Sequence, residues 1–250
     1  MISDVIDHRA VALAAILLVA GRVQAQERGG DGFLFKAPAG AVAIRGGFDR
    51  AIAGSDIFTF VTERLTVSRG DFSSPTFVTD VDYRMTPRVA SVFSVGFSRS
   101  NRPSEYRKWV DNNRRPIEQT TAYARVPLTA SVKAYLTDPG RSIGHFSWVP
   151  ARYAPYVGAG GGAMWYRFQQ SGDCIDEKTL RVFPDLFDSD GWTPTVQAFG
   201  GTDVSLNPRF AVTLEGRYQW ARARMSTDFS GFDRIDLSGF ALTSGISIRY

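Results

Sequence analysis

The sequence predicts an all-β protein: one eight-stranded antiparallel up-and-down transmembrane β-barrel. Three observations predict it. Apolar and polar residues alternate with period two in segment after segment. Short and long connections alternate between those segments. The chain closes on an alternating segment that ends in an aromatic residue, Tyr250.

The first element is not part of the barrel. Ala10 to Ala20 is a short apolar stretch, and Val23-Gln24-Ala25 supplies the small residue that signal peptidase needs before its cut. Residues 1–25 are therefore expected to be an export signal, cleaved after Ala25. Asp4 and Asp7 oppose Arg9 in the leading segment, which is unusual for such a signal and would follow from a start codon placed too far upstream. Residues 26–36 are Gly-rich and charged and read as a short leader. The barrel is expected over 37–250.

Eight segments are expected to be strands: roughly 40–50, 74–85, 89–99, 120–136, 153–167, 192–206, 209–222 and 236–250. Each reaches about the 9–11 residues a tilted membrane strand needs. In the second, Phe77, Val81 and Tyr83 oppose Asp80, Asp82 and Arg84. In the fourth, Val126, Leu128, Ala130 and Val132 oppose Arg125, Thr129, Ser131 and Lys133. The fifth puts Gly158, Gly160 and Gly162 on one face, which suits close packing in a narrow barrel. In the seventh, Phe210, Val212, Leu214, Gly216, Tyr218 and Trp220 share a face. In the eighth, Phe240, Leu242, Ile246, Ile248 and Tyr250 do the same.

Thr86-Pro87-Arg88 and Asn207-Pro208-Arg209 make tight turns, with proline presetting φ. The other joins are longer, about 12 to 25 residues in this reading. Termini and short turns are expected to face the periplasm and long joins the outside. The join 138–150, with Trp148, is a longer periplasmic turn. Residues 56–66 lie in the first long join and either extend the first strand or form a short helix that lids the barrel.

Alternation alone does not say which face is inside. The more polar face carries Arg45, Asp80, Asp82, Arg84, Arg125, Lys133, Asp203, Glu215 and Arg217 together with small residues. Small residues and paired charges fill a narrow lumen, and the bulky face suits lipid. Trp165, Tyr166, Trp192, Trp220 and Tyr250 near strand ends fit interfacial girdles. A soluble periplasmic barrel would turn the bulky band toward water, where it would aggregate.

Composition sets the remaining bounds. Mean hydropathy is −0.14, and past the first 25 residues no apolar run approaches the roughly 18 residues of a membrane helix. With period two, that mean averages a lipid face and a polar face. Aromatic residues make up 13% of the chain and charged residues 22%, which excludes a disordered polyelectrolyte. A net charge of +4 is too mild to demand nucleic acid. A single cysteine, Cys174, excludes an intramolecular disulfide and a thiolate zinc cluster.

DYRMTPRVASVFSVGFSRS, VPLTASVKAYL and PYVGAGGGAMWY, in that order, together with the terminal Tyr250, resemble the bacterial outer membrane protein β-barrel family of OmpA-like and OmpW-like eight-stranded barrels. The resemblance spans about residues 37–250. It implies the fold, an outer-membrane location, and a role for Tyr250 as the C-terminal signal read by the barrel-assembly machinery. Members of that family differ widely in function.

The candidate functional residues follow. The nine polar-face charges balance closely in sign, which favours an ion-pair network plugging the lumen over a selectivity lining. Residues 100–118 form an expected basic loop, with Arg102, Arg107, Lys108, Arg114 and Arg115 positioned for an anionic surface such as lipopolysaccharide. Residues 168–191 form an expected acidic, solvated loop in which Asp185, Asp188 and Asp190 match no calcium motif. His145 stands near Ser142 and Ser147, but on the periplasmic side, away from the outer leaflet where a lipid-modifying enzyme would act. No catalytic, cofactor or metal site is expected. The expected partners are outer-membrane lipid, lipopolysaccharide and the assembly machinery, without nucleic acid, and the expected state is a monomer. A structural or surface-interaction role leads; a narrow channel for small solutes is the alternative, and a lipid-modifying enzyme comes behind it.

Overall fold

A computed structural model describes residues 32–110, 114–144, 147–175 and 182–250. The expected export signal, most of the expected leader, His145, and residues 111–113 and 176–181 lie outside the described residues.

The strands in chain order are β1 (Gly40–Ala51), β2 (Ser74–Arg84), β3 (Val89–Val110), β4 (Pro116–Tyr135), β5 (Gly140–Ile143), β6 (Ser147–Pro150), β7 (Tyr153–Ile175), β8 (Val182–Ser205), β9 (Phe210–Ala223), β10 (Ile235–Asp236) and β11 (Gly239–Arg249). A helix, α1 (Asp56–Arg64), lies between β1 and β2. Eight strands form a closed antiparallel ring, in the order β1-β2-β3-β4-β7-β8-β9-β11 and back to β1. β5 and β6 make a separate hairpin, and β10 adds two residues beside β9. Closure leaves no free sheet edge within the ring, as a bilayer requires of any strand that crosses it.

The expected faces hold. Ile44, Phe77, Phe93, Leu128, Val157, Val196, Leu214, Leu242 and Ile246 point outward and are exposed around the ring. Their same-strand neighbours Arg45, Asp80, Ser94, Thr129, Gln197, Glu215 and Thr243 are buried inside. A continuous outer band of this size is tolerated against lipid and not against water. The molecule is thus a transmembrane β-barrel. Among the described residues no helix is long and apolar enough to cross a membrane.

Close packing explains the glycines of β7. A Cβ on inward Gly160 would overlap the backbone of Ala130 and Ser131 on β4.

The structure departs from the expected elements in three places. β3, β4, β7 and β8 run 20 to 24 residues and stand well beyond the barrel ring. The expected loops 100–118 and 168–191 are therefore mostly two tall hairpins joined through the β4–β7 pairing, Gln119 opposite Gly172. Of the two alternatives left open for residues 56–66, the structure takes the helix, over Asp56–Arg64. Tyr166 does not belong to an outer girdle: it shares parity with Tyr156 and Met164, faces inward and is buried. Trp165 and Trp192 form the outward cross-strand pair at that level. The eighth strand starts at Gly239, because 235–238 belong to the cap described next.

Candidate functional site

The lumen is occupied along its length by the chain's own side chains. The end with Tyr250, the start of β1 and the turns 85–88 and 206–209 is the near end, and the end with α1 is the far end.

At mid-height, Arg45 of β1 lies between two carboxylates. Its guanidinium pairs with Asp80 of β2 and with Glu215 of β9, the latter at 2.5 Å. Arg217 joins Glu215 at 2.9 Å and approaches Asp80 at 3.6 Å. Tyr156 donates to Glu215 at 2.9 Å. Gln197 ties this level to the opposite wall, donating to Thr129 at 2.9 Å and Ser131 at 2.8 Å. Alternation places all of these inward, and eight strands leave just enough width for such side chains to meet.

Toward the near end, Lys133 of β4 bridges Asp82 at 3.0 Å and Asp203 at 3.3 Å. Asp203 also accepts from Tyr135 at 2.9 Å and from Thr213 at 2.7 Å. The Lys133 ammonium lies 4.0 Å from the Tyr156 ring centroid. Toward the far end, Arg125 of β4 meets Asp49 of β1 at 2.7 Å and donates to the Leu237 carbonyl at 2.9 Å.

The nine expected lumen charges divide unevenly. Arg45, Asp80, Asp82, Arg125, Lys133, Asp203, Glu215 and Arg217 are brought together as buried pairs. Arg84 is not: it ends β2 at the rim and donates to the Thr86 and Pro87 carbonyls. Asp49 was missed, although its parity with Arg45 marked it as inward.

The far end is closed by an apolar cap: the lid helix is one of the two alternatives for 56–66, whereas its partners from the walls and from the 224–238 connection were not expected. Ile57, Phe58 and Val61 of α1, with Leu65, Val67 and Phe72, pack down into the ring. They meet Tyr123, Met164, Tyr166 and Phe168 from the walls, and Phe229, Ile235 and Leu237 from the 224–238 connection. Phe58 is the hub, with ring centroids 4.7 Å from Phe72, 5.6 Å from Tyr123 and 5.7 Å from Phe168, all edge-on. Hydrogen bonds latch the two connections together. Gly54 N–H donates to Asp236 at 3.1 Å, Asp236 N–H to Ser55 Oγ at 3.1 Å, and Asp233 N–H to Asp56 at 2.9 Å.

The near end is closed by Trp148. It is buried, with its ring edge against Gly140 across the β5–β6 hairpin. Leu34 adds a strand-like bridge to it, with N–H to O distances of 2.9 and 2.7 Å. Arg249 lies 5.7 Å from the Trp148 ring centroid.

Tyr250 sits at the seam where the first and last strands meet. Its carbonyl accepts from Ala39 at 2.7 Å and Gly40 at 3.2 Å, and its hydroxyl donates to the Asp82 carbonyl at 3.4 Å.

The expected basic loop is redistributed. Arg102 donates to the Asp71 carbonyl at 3.1 Å, and Arg107 to the Thr62 and Val67 carbonyls at 3.2 Å each. These two arginines bind the cap to the β3–β4 hairpin. Lys108, Arg114 and Arg115 lie exposed near the hairpin tip. On the neighbouring hairpin, Arg167 pairs with Asp188 at 2.8 Å. Among the described residues, no three His, Cys, Asp or Glu side chains converge as a metal-ligand set.

No protein-family model and no curated protein sequence matches the chain. Similar solved structures include the neisserial surface protein A, at 10% identity and a TM-score of 0.41, over 85% of this chain and 97% of that one. They also include the N-terminal β-barrel domain of Pseudomonas aeruginosa OprF, at 13% identity and 0.36, over 86% and 100%. A third is the outer membrane protein AlkL, solved in lipid bilayers, at 16% identity and 0.37, over 90% and 93%.

Proposed function

We propose that this chain is a small integral outer-membrane barrel without catalytic activity, whose lumen is a structural plug and whose tall hairpins are a surface-interaction platform. One observation carries the reading: buried side chains occupy the lumen at successive heights, from the Trp148 closure through the cross-lumen ion pairs to the Phe58 cap. Narrow solute passage would require breaking several buried pairs at once, each costing about 3–5 kcal/mol when one partner is lost.

Location is read from sequence and structure together. The apolar stretch 10–20 and the Val23-Gln24-Ala25 cut support export. Both described chain ends and the short turns share the near end, which supports a periplasmic near end and an extracellular far end. The Tyr250 seam contacts support its reading as the residue presented to the assembly machinery. Lys108, Arg114 and Arg115, exposed beyond the ring, are the side chains of the basic segment best placed for lipopolysaccharide phosphate. The working unit is a monomer.

Conductance across a planar bilayer tests the plug. The purified, refolded chain is expected to show no steady single-channel steps. Regular steps would overturn the reading in favour of a narrow channel.

A further inference from the structure

The near-end rim repeats one arrangement. Each near-end connection holds an outward, highly exposed apolar residue and an arginine: Met85 and Arg88, Leu206 and Arg209, and, farther apart in sequence, Leu136 and Arg152. The apolar members are 61%, 66% and 59% exposed, among the highest values for large apolar side chains in the chain. Two of these turns share the order apolar-polar-Pro-Arg, so the spacing is the same in both.

The charge of this rim is one-sided. Among its described residues the only acidic side chain is Asp138, which pairs with Arg88 at 2.5 Å. That pair engages two of the guanidinium nitrogens and leaves N–H donors of the five an arginine carries. Arg152 lies 5.6 Å from the ring centroid of the exposed Tyr153. At the far end, by contrast, basic and acidic residues interleave, as in the Arg167–Asp188 pair. An apolar side chain projecting outward beside a cation is the pattern that snorkels at a lipid interface: the apolar part sits among acyl chains and the cation among headgroup phosphates.

We propose that the near-end rim is a docking surface for anionic phospholipid headgroups of the periplasmic leaflet, with Arg88, Arg152 and Arg209 as phosphate contacts and Met85, Leu136 and Leu206 as anchors. This rests on the membrane-spanning orientation proposed above. It differs from the lipopolysaccharide contact proposed there, which lies at the other end and in the other leaflet.

The test uses the full chain refolded into vesicles of phosphatidylcholine and phosphatidylglycerol in equal parts, then extracted in mild detergent. Retained lipid is quantified by mass spectrometry, and folding is followed by gel mobility with and without boiling. Retained phosphatidylglycerol is expected to exceed phosphatidylcholine severalfold, of the order of the about fivefold that one well-placed arginine gives near a charged surface. The Arg88→Gln, Arg152→Gln, Arg209→Gln triple variant should return the ratio toward one, and the corresponding triple lysine variant should retain the preference. A ratio near one in the wild type, or a preference unchanged by the glutamines, overturns the proposal. Absence of any heat-dependent mobility shift in the wild type would instead overturn the membrane-spanning reading on which it stands.

Discussion

Arg125 on β4 reaches Asp49 on β1 at 2.7 Å, across a ring in which those two strands are not neighbours. Both are buried, and Arg125 also holds the Leu237 carbonyl beneath the cap at 2.9 Å. The pair therefore joins the ion-filled middle of the lumen to its apolar lid. A buried pair of this kind sets geometry more than it adds net stability, because desolvation offsets much of the attraction.

The first prediction concerns that pair. Asp49→Asn leaves the Arg125 cation buried without its counter-charge, and Arg125→Met leaves the Asp49 carboxylate buried without its cation. Each single change should cost about 3–5 kcal/mol. The double variant should cost clearly less than the sum of the two. Urea unfolding from lipid vesicles, run as a double-mutant cycle, measures this; additive costs would show that the two side chains act independently.

The second concerns the cap. Phe58 is fully buried and touches three other rings. Phe58→Ala should cost about 3–5 kcal/mol of cap stability through lost burial and the cavity left behind. The ring hydrogen bonds do not pass through α1, so the barrel should keep its heat-dependent gel mobility. Limited proteolysis should then cut within 52–73 in the variant and spare the same segment in the wild type. Equal resistance would show that the latch at Asp236 and Asp56 suffices without the aromatic packing.

These two sites mark the boundary between what the alternation reveals and what it hides. Within the membrane the two faces of a strand meet different solvents, so period two is strong and the inward set from Arg45 to Arg217 can be read directly. Beyond the membrane both faces meet water. Arg102, Glu105, Arg107 and Lys108 then follow one another without a pattern, and the tops of β3 and β4 look like a loop. The same loss conceals the tops of β7 and β8. In the cap, Ile57, Phe58, Val61 and Leu65 have helical spacing, but one nine-residue helix offers too few repeats to separate it from a strand. Its partners Phe229, Ile235 and Leu237 lie more than 160 residues away in the chain, and no local signal joins them. Arg84 fails for another reason: parity gives the face, whereas height along the strand decides whether a partner is within reach.

The third prediction is a pH dependence at the cap. Hydrogen bonds from the Ser68 backbone N–H at 2.8 Å and then its hydroxyl at 2.7 Å hold Asp71 below the usual carboxylate range, and the Arg102 charge adds to this. Because the folded value is depressed, the contribution is complete above the ordinary carboxylate pKa of about 3.9 and is lost as pH falls through the depressed value. The four-residue turn at 69–72 should therefore be unaffected at neutral pH and loosen only in acid. Carboxyl NMR titration should show Asp71 rising toward the ordinary value in Ser68→Ala. An unchanged titration in that variant would remove the Ser68 hydroxyl as a cause and leave its backbone N–H, which alanine retains.

The fourth contrasts two arginines on the same inward face. Arg45 is buried at mid-lumen between Asp80 and Glu215, and Arg84 ends β2 with its guanidinium on turn carbonyls. Arg45→Met removes a cation and leaves two buried carboxylates close to Arg217 alone. It should cost about 3–5 kcal/mol and slow refolding into vesicles, because the two walls must then approach with like charges facing. Arg84→Gln removes a half-buried rim cation whose partners are neutral turn carbonyls, and its cost should stay within about 0.5 kcal/mol. Glu215→Gln introduced into the Arg45→Met background should recover part of the loss, since one of the stranded carboxylates is neutralised. The Arg84 variant has no such compensating partner. If both arginines cost the same, or if Glu215→Gln deepens the Arg45 defect, the mid-lumen cluster is not organised around its charges and packing volume alone would account for the plug.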